Sequence, residues 1–230
     1  MYIAFKLNNF IMIFVDTDIF IPIYLNLADF NVLIIGGGKV GTKRAISFAE
    51  HGAKVTVISL SFSDELLKNQ DKINLLNENA NELSEELLSR FDIIVTATND
   101  KVLNSKLCSK AKQLRKLCNN PTNPEESNFI VPIYYTDNKL SIAVTTFGKS
   151  SLSSKYVLEL IRENILSNNA IYNLIEAMGD VKDLLKDEIK DPSKRFTYYS
   201  KIFNDEIFRN YVNEGKIEQA INRAKVIINE

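Results

Sequence analysis

Residues 31–50 read NVLIIGGGKVGTKRAISFAE, and this stretch decides the fold. An apolar run, Asn31–Ile35, leads into glycines at the spacing Gly36-x-Gly38-x-x-Gly41, and a helix-compatible sequence follows. In such a segment the first glycine permits a tight turn, the second lets the backbone approach a pyrophosphate, and the third lets the helix pack on the sheet. The glycines alone would also fit an ordinary turn. Together with the flanking strand and helix they predict a dinucleotide site at a helix N-terminus.

Stretches typical of strands and of helices alternate over the first half of the chain. The strand-like stretches are Asn31–Ile35, Lys54–Ile58, Asp92–Ala97 and Leu117-Cys118. The helix-like stretches are Thr42–Glu50, Leu66–Leu76, Leu83–Leu88 and Val102–Leu114. This alternation predicts an α/β fold with a parallel sheet, and ligands of such sheets bind beyond the carboxyl ends of the strands. The expected site segments are therefore 36–41, 59–61, 98–100 and 119–122.

Candidate cofactor residues lie at these strand ends. They are Gly36, Gly38, Lys39, Val40, Gly41, Ser59, Leu60, Ser61, Thr98 and Asn99. No Asp or Glu ends the strand KVTVI, so Ser59 or Ser61 would supply weaker hydrogen bonds to the ribose. No arginine stands there for a ribose phosphate, which favours NAD, although Lys43 and Arg44 leave NADP open. Thr98 fits the nicotinamide end and equally fits a helix cap.

Composition excludes some classes of function. The chain has 230 residues with 45% hydrophobic content, enough for one core and a smaller appendage. With 28 basic and 29 acidic residues, it offers no global case for binding nucleic acid or an anionic membrane. The only cysteines, Cys108 and Cys118, and the only histidine, His51, cannot form a usual structural zinc site. Two unpaired thiols indicate a reducing cytosol, and we expect His51 to complement a helix dipole rather than bind metal.

The first twenty residues are apolar, but polar side chains interrupt them. These include Asn8, Asn9, Asp16 and Asp18, and only Lys6 is basic. Neither a signal peptide nor a membrane-spanning helix fits this pattern. We expect an additional packed segment, or an upstream start whose natural equivalent is Met12.

The pattern changes after a loop that contains Pro121, Pro124 and Pro132. Ile133–Tyr135 and Leu140–Thr145 flank a turn-like segment and predict a β-hairpin. From Ser150 onward the spacing of apolar residues is helical. Nothing after that residue resembles a strand. The sequence therefore divides into three regions.

Four blocks carry a family resemblance when read in order. They are FIPIYLNLADFNVLIIGGGKVGTKRAISFAEHGAKVTVIS, IIVTATND, LCNNP followed by NFIVP, and LSIAVTTFGKSSLSSKYVLELIREN. This run, roughly Phe20 to Asn164, resembles the dehydrogenase and ferrochelatase part of siroheme synthase. The resemblance implies a cytoplasmic homodimer that oxidises precorrin-2 to sirohydrochlorin with NAD, and in some members inserts ferrous iron. It also implies a Rossmann-type domain (1–132), an α+β dimerisation region (133–165) and a helical C-terminal domain (166–230).

The resemblance leaves the catalytic group uncertain. A gapless alignment of CNNPTNPEESNFIVP places Thr122 where members with both activities carry an Asp. Threonine is a poor general base and a poor ferrous ligand, so the metal site is unknown, whereas hydride transfer depends more on positioning. Asn119 keeps its place in the family's Cys-Asn pattern and would orient the substrate. Asp100, Glu125 and Glu126 are nearby carboxylates that either replace the Asp or are exposed loop charges.

The implied tetrapyrrole carries several carboxylates, which a basic helix N-terminus would suit. Lys149, Ser150 and Lys155 form such a candidate face, with Ser151 and Arg162 nearby, and the alternative is a capped, solvated helix. Two other classes of function stay open. One is a non-catalytic scaffold that binds NAD or a tetrapyrrole, and the other is an unrelated small-molecule dehydrogenase.

Overall fold

The computed structural model describes the backbone of residues 3–7 and 10–14 and all of residues 20–230. The chain divides into two compact units, Met1–Val131 and Pro132–Glu230. At the start of the first unit, β1 (Ile3–Leu7) and β2 (Phe10–Phe14) pair antiparallel. The packing of the side chains of residues 1–19 lies outside what the structure describes, and the natural start at Met12 stays a prediction.

The first unit is built on a five-stranded parallel sheet in the order β5-β4-β3-β6-β7. Its strands are β3 (Asn31–Ile35), β4 (Lys54–Ile58), β5 (Ile73–Leu76), β6 (Ile93–Thr96) and β7 (Leu117–Asn119). Its helices are α1 (Lys39–Glu50), α2 (Asp64–Lys68), α3 (Glu85–Ser89) and α4 (Lys101–Gln113), with short 3₁₀ turns at Ala80–Glu82 and Pro124–Glu126. This architecture confirms the predicted α/β fold of Rossmann type.

Helices cover both faces of the sheet, which explains why its strands are mostly apolar. On one face, Val32 and Ile34 of β3 share a core with Ala45 and Phe48 of α1. On the other face, Leu33 and Ile35 pack in the core that contains the buried residues of α3 and α4. The four apolar residues of β3 are all fully buried, so this central strand anchors the loop that follows it.

One predicted helix is wrong. Leu66–Leu76 was expected to be a single helix, but α2 ends at Lys68 and the second half is strand β5. Val55 pairs with Ile73 and Ile58 with Leu76, so β5 completes the sheet next to β4. The short apolar run is compatible with either state, and pairing with β4 decides between them. Helix α1 also begins earlier than expected, at Lys39.

The prediction of two unpaired thiols is also wrong. Cys108 of α4 and Cys118 of β7 form a disulfide, with their Cα atoms 5.6 Å apart. Helix α4 packs against β7 and brings together side chains ten residues apart in sequence. Both cysteines are fully buried in the core that the sheet shares with α3 and α4.

The second unit combines a hairpin with a helical region. The antiparallel strands β8 (Ile133–Thr136) and β9 (Ser141–Val144) are followed by α5 (Ser151–Ile161), which continues as a π-helical segment, Arg162–Leu166. The remaining helices are α6 (Asn169–Glu188), α7 (Pro192–Phe203), α8 (Glu206–Asn213) and α9 (Ile217–Asn229). No helix in the described part of the chain is long and apolar enough to span a membrane. The boundary at 165 between a dimerisation region and a helical domain stays a prediction.

Asp137 ties the hairpin of this unit to α6. Its Oδ2 accepts hydrogen bonds from the hydroxyls of Tyr135 (2.8 Å) and Tyr172 (3.0 Å). Its Oδ1 accepts from the backbone N–H groups of Lys139 and Leu140, both at 2.7 Å. These donors, the backbone of Lys139 first, lower the pKa of Asp137 to about 2.

Asp205 holds the C-terminal helices together. Its Oδ1 caps α8 by accepting from the N–H of Phe208 at 2.8 Å. Both carboxylate oxygens also pair with Arg223 of α9, at 3.1 and 2.7 Å. The hydrogen bond from Arg223 is the main cause of a lowered pKa for Asp205.

Candidate dinucleotide site

The glycine-rich loop leaves β3 through a turn that only glycine allows. Gly36 has φ +115°, and a Cβ at this position would overlap the carbonyl group of Ala97. A Cβ on Gly41 would overlap the carbonyl oxygen of Gly36, so the start of α1 packs directly against the turn. The first and third glycines therefore shape the loop.

Gly38 differs from both, because a Cβ there would meet nothing within 4 Å. It has an ordinary extended conformation and is the N-cap residue of α1, with no side chain accepting a hydrogen bond at that cap. The first N–H groups of a helix attract anions when no side chain satisfies them. Open space beside such a cap fits a pyrophosphate that approaches the backbone.

A cleft of about 530 Å³ opens from this loop along the carboxyl edge of the sheet. The residues that line this cleft include eight of the candidate site residues named from the sequence: Gly36, Gly38, Ser59, Leu60, Ser61, Thr98, Asn99 and Asp100. Lys39, Val40 and Gly41 do not line it: the side chains of Lys39 and Val40 are exposed, and Gly41 is buried beneath the loop. Of the four predicted strand-end segments, 59–61 and 98–100 line this cleft in full and 36–41 lines it only through residues 36–38, whereas 119–122 is not among its lining residues.

The cleft also contains a carboxylate that the sequence reading missed. Glu78 lies just beyond β5 and lines the cleft beside the segment that follows β4. The N–H of Ser59 donates to the carbonyl of Leu76, and the Asn77 amide donates to the carbonyl of Leu60 at 3.4 Å. These bonds hold the two segments side by side. The acidic group absent from the end of β4 is therefore present two residues beyond β5, the neighbouring strand that had been predicted as part of a helix.

Thr98 is not the cap of the following helix. That cap is Asp100, whose carboxylate accepts from the N–H groups of Val102 (2.9 Å) and Leu103 (3.0 Å). The Thr98 hydroxyl instead donates to Oδ1 of Asn104 at 2.7 Å. Asp100, a candidate catalytic residue, is thus engaged in capping at the rim of the cleft.

The segment after β7 carries the other two candidate catalytic residues. Asn119 is 7% exposed; its Nδ2 donates to the carbonyl of Phe129 at 3.2 Å, while its Oδ1 is buried without a hydrogen-bond partner. The hydroxyl of Thr122 donates to Oδ1 of Asn120 at 2.7 Å. Glu126 accepts from the Asn120 amide at 2.7 Å, and its pKa is lowered, chiefly by a hydrogen bond from Ser105.

The predicted substrate residues lie on the second unit. Ser150 caps α5, accepting from the N–H of Ser153 at 3.1 Å, which agrees with the capped-helix alternative. Lys149 and Lys155 are exposed. Among the residues that the structure describes, no three His, Cys, Asp or Glu side chains group as metal ligands.

A parallel sheet whose central strand leads into a glycine-rich loop, with a cleft at its carboxyl edge, defines a dinucleotide-binding protein of Rossmann type. In agreement, residues 23–133 match the family model described as "Putative NAD(P)-binding". The "Putative precorrin-2 dehydrogenase" of Methanocaldococcus jannaschii is 34% identical over 196 residues, 82% of this chain and 92% of that protein. The chain therefore belongs to the precorrin-2 dehydrogenase family, and its cofactor is NAD.

Three further proteins are similar to this chain, two in sequence and one in fold. The siroheme synthases of Psychromonas ingrahamii and Buchnera aphidicola are 26% and 29% identical over 88% and 92% of this chain. The chain spans less than half of these relatives, 42% and 44% of their lengths. The solved structure of "SirC, precorrin-2 dehydrogenase" has the same fold, with a TM-score of 0.65 at 22% identity over 90% of this chain and 99% of that one.

Proposed function

We propose that this protein oxidises precorrin-2 to sirohydrochlorin. The observation that carries the proposal is the 34% identity to a putative precorrin-2 dehydrogenase across 92% of its length, in a chain with an open dinucleotide cleft. The reaction transfers a hydride from the macrocycle to NAD⁺ and releases one proton, giving sirohydrochlorin and NADH. NAD, when bound, supplies the hydride acceptor.

The residues of the cleft divide into three roles. The backbone N–H groups at Gly38 and the first turn of α1 would hold the pyrophosphate, because no side chain caps that helix. Ser59, Ser61 and Glu78 would bind the adenosine ribose. Thr98 and Asn99, at the end of β6, would border the nicotinamide.

Glu78 would favour NAD over NADP. A carboxylate can accept from ribose hydroxyls, and it repels a ribose phosphate. We expect Glu78→Gln to weaken NAD binding. The dissociation constant for NADP, divided by that for NAD, should fall. Glu65→Gln, at an exposed carboxylate of α2 outside the cleft, is the control. An unchanged ratio in Glu78→Gln would assign NAD selectivity to other groups.

The residues after β7 are suited to positioning rather than to proton abstraction. The Thr122 hydroxyl already donates to Asn120, and threonine does not ionise near neutral pH. Asn119 offers a buried, unpaired Oδ1 that could accept from a pyrrolic N–H group and fix the substrate. The Asp100 carboxylate already accepts hydrogen bonds from the first turn of α4. The proton released with the hydride would therefore pass to water.

The direct test is an assay with precorrin-2 and NAD, followed at the absorbances of NADH and sirohydrochlorin. We expect both products in equal amounts, and no NADH with simple alcohols or hydroxy acids. Addition of ferrous iron to the same cuvette then tests siroheme formation, which the family resemblance associates with the Asp that Thr122 replaces. NADH binding without turnover would favour a scaffold, and turnover of a hydroxy acid would favour an unrelated dehydrogenase.

We also propose that the protein is a cytoplasmic homodimer joined through residues 133–165. A carboxylate of the tetrapyrrole would bind near Lys149, Ser150 and Lys155. Exposed apolar side chains on α5 support an interface there: Leu152 (78%), Tyr156 (66%) and Val157 (41%). Sedimentation equilibrium should give twice the chain mass of 26.1 kDa. A monomer at micromolar concentration would remove this part of the proposal.

A further inference from the structure

Asn104 is a fully buried amide that the predicted site does not include. It lies in the first turns of α4, beneath the dinucleotide cleft, at 0% exposure. A buried side-chain amide has two donors and an acceptor to satisfy, and leaving them unpaired is costly. Asparagine is also a mediocre helix former, so its position inside α4 calls for a tertiary explanation.

The amide of Asn104 bonds to two different strand-end segments. Its Oδ1 accepts from the N–H (3.1 Å) and the hydroxyl (2.7 Å) of Thr98, which lines the cleft. Its Nδ2 donates to the carbonyl of Thr98 at 3.0 Å and to the hydroxyl of Thr122 at 3.3 Å. One side chain therefore joins the end of β6 to the segment beyond β7, here named the β7 loop (residues 120–126).

The direction of these hydrogen bonds is determined throughout. A reversed Asn104 amide would set its Nδ2 against the N–H of Thr98, two donors facing each other. Because the Thr122 hydroxyl accepts a hydrogen bond from Asn104, it donates its own hydrogen bond to Oδ1 of Asn120. Nδ2 of Asn120 in turn donates to the Glu126 carboxylate at 2.7 Å. The chain of bonds runs without a mismatch from the cleft to Glu126.

We propose that Asn104 is a positioning residue that couples the dinucleotide cleft to the β7 loop, so that cofactor binding at Thr98 sets the placement of Asn120 and Thr122. The catalytic part of this inference rests on the proposed function. The coupling itself does not, since it concerns only NADH and the loop. Asn104 touches neither ligand and acts through Thr98 and Thr122.

Two variants interrupt the coupling at different points. Asn104→Asp keeps the size and the acceptor facing Thr98 but loses both N–H donors, including the one to Thr122. Thr122→Val removes the hydroxyl at the other end of the same bond. The control is Asn128→Asp: Asn128 is exposed, unlike Asn104, but its amide also joins two backbone groups, accepting from the N–H of Cys118 (2.6 Å) and donating to the carbonyl of Lys116 (3.0 Å). None of its bonds reaches the cleft.

Hydrogen exchange, read by mass spectrometry with and without NADH, tests the coupling without the substrate. In the wild type and in Asn128→Asp, we expect NADH to slow exchange in the peptide that covers residues 120–126. In Asn104→Asp and Thr122→Val, NADH should slow exchange at Thr98 but no longer in the β7 loop. Equal protection of the loop in all four proteins would overturn the inference, as would no loop protection in the wild type.

Turnover of precorrin-2 tests the consequence for the reaction. We expect Asn104→Asp to lower kcat by about tenfold to a hundredfold at saturating NAD, since a misplaced substrate loop loses reactive geometry. Thr122→Val should lower kcat similarly, and the double variant should lose little more than either single one. A more acidic pH should restore part of the activity of Asn104→Asp, because the protonated carboxyl regains a donor.

The outcomes separate the two proposals. A kcat of Asn104→Asp equal to that of Asn128→Asp, or strictly additive losses in the double variant, would overturn the inference while leaving the proposed function intact. A wild type that binds NADH without oxidising precorrin-2 would refute the proposed function, and hydrogen exchange would then decide the coupling alone. If Asn104→Asp does not fold, Thr122→Val decides: unchanged loop protection and unchanged kcat would overturn the inference.

Discussion

Among substitutions in the glycine-rich loop, Gly38→Ala is expected to weaken cofactor binding with the least effect on folding. The residue has φ −78° and ψ −174°, which alanine adopts without strain, and a Cβ would enter open space. Alanine is a poorer N-cap than glycine but loses less backbone entropy on folding. These terms oppose each other, so the free energy of unfolding should change by less than about 1 kcal/mol.

The effect on the cofactor should be much larger. The new methyl group would stand where the pyrophosphate approaches the N-terminus of α1, and would displace at least one backbone hydrogen bond to a phosphate. Such a bond to a charged group contributes about 1.5–3 kcal/mol. We therefore expect NADH to bind about 10-fold to 150-fold more weakly.

Titration of NADH fluorescence gives the affinity, and urea unfolding followed by circular dichroism gives the stability. Gly179→Ala is the matched control, because Gly179 lies in α6 and its Cβ would also meet nothing within 4 Å. It should raise stability by up to about 1 kcal/mol and leave NADH affinity unchanged. A folded Gly38→Ala that binds NADH within about twofold of wild type would show that the dinucleotide does not approach Gly38, against the assignment of the loop.

Two further predictions concern the second unit. Asp205→Ala removes both a helix cap and a two-point ion pair with Arg223, so it should cost about 2–3 kcal/mol in urea unfolding. Asp191→Ala removes only the cap of α7 and should cost about 1 kcal/mol; equal losses would show that the Arg223 pair contributes nothing. Because the pKa of Asp137 is lowered from 3.8 to about 2, its ionised form stabilises the folded unit above pH 3.8, and this contribution is lost as the pH falls through about 2. The difference in unfolding free energy between wild type and Asp137→Asn should shrink from pH 4 to pH 2, and a constant difference would contradict the lowered pKa.

Local sequence determined the centre of the first unit. Three features are consecutive in the sequence: the apolar run of β3, the glycine spacing and the amphipathic start of α1. The structure of this segment can therefore be predicted without knowledge of distant residues. The same holds for β4 and β6, whose apolar runs are buried on both faces. The parts of the cleft at residues 36–38, 59–61 and 98–100 followed from these strands, because parallel strands end at a common edge.

Tertiary structure decided the features that depend on distant partners. Residues 73–76 become a strand only because β4 offers an unpaired edge, and that pairing brings Glu78 to the cleft. The packing of α4 on β7 brings Cys108 to Cys118, a contact that spacing alone does not reveal. Asn104 looks like an ordinary polar residue in a helix until the ends of β6 and β7 converge on it. Sequence patterns record which side chains must be buried, but the partners of a buried polar group are set by the packing of elements far apart in the chain.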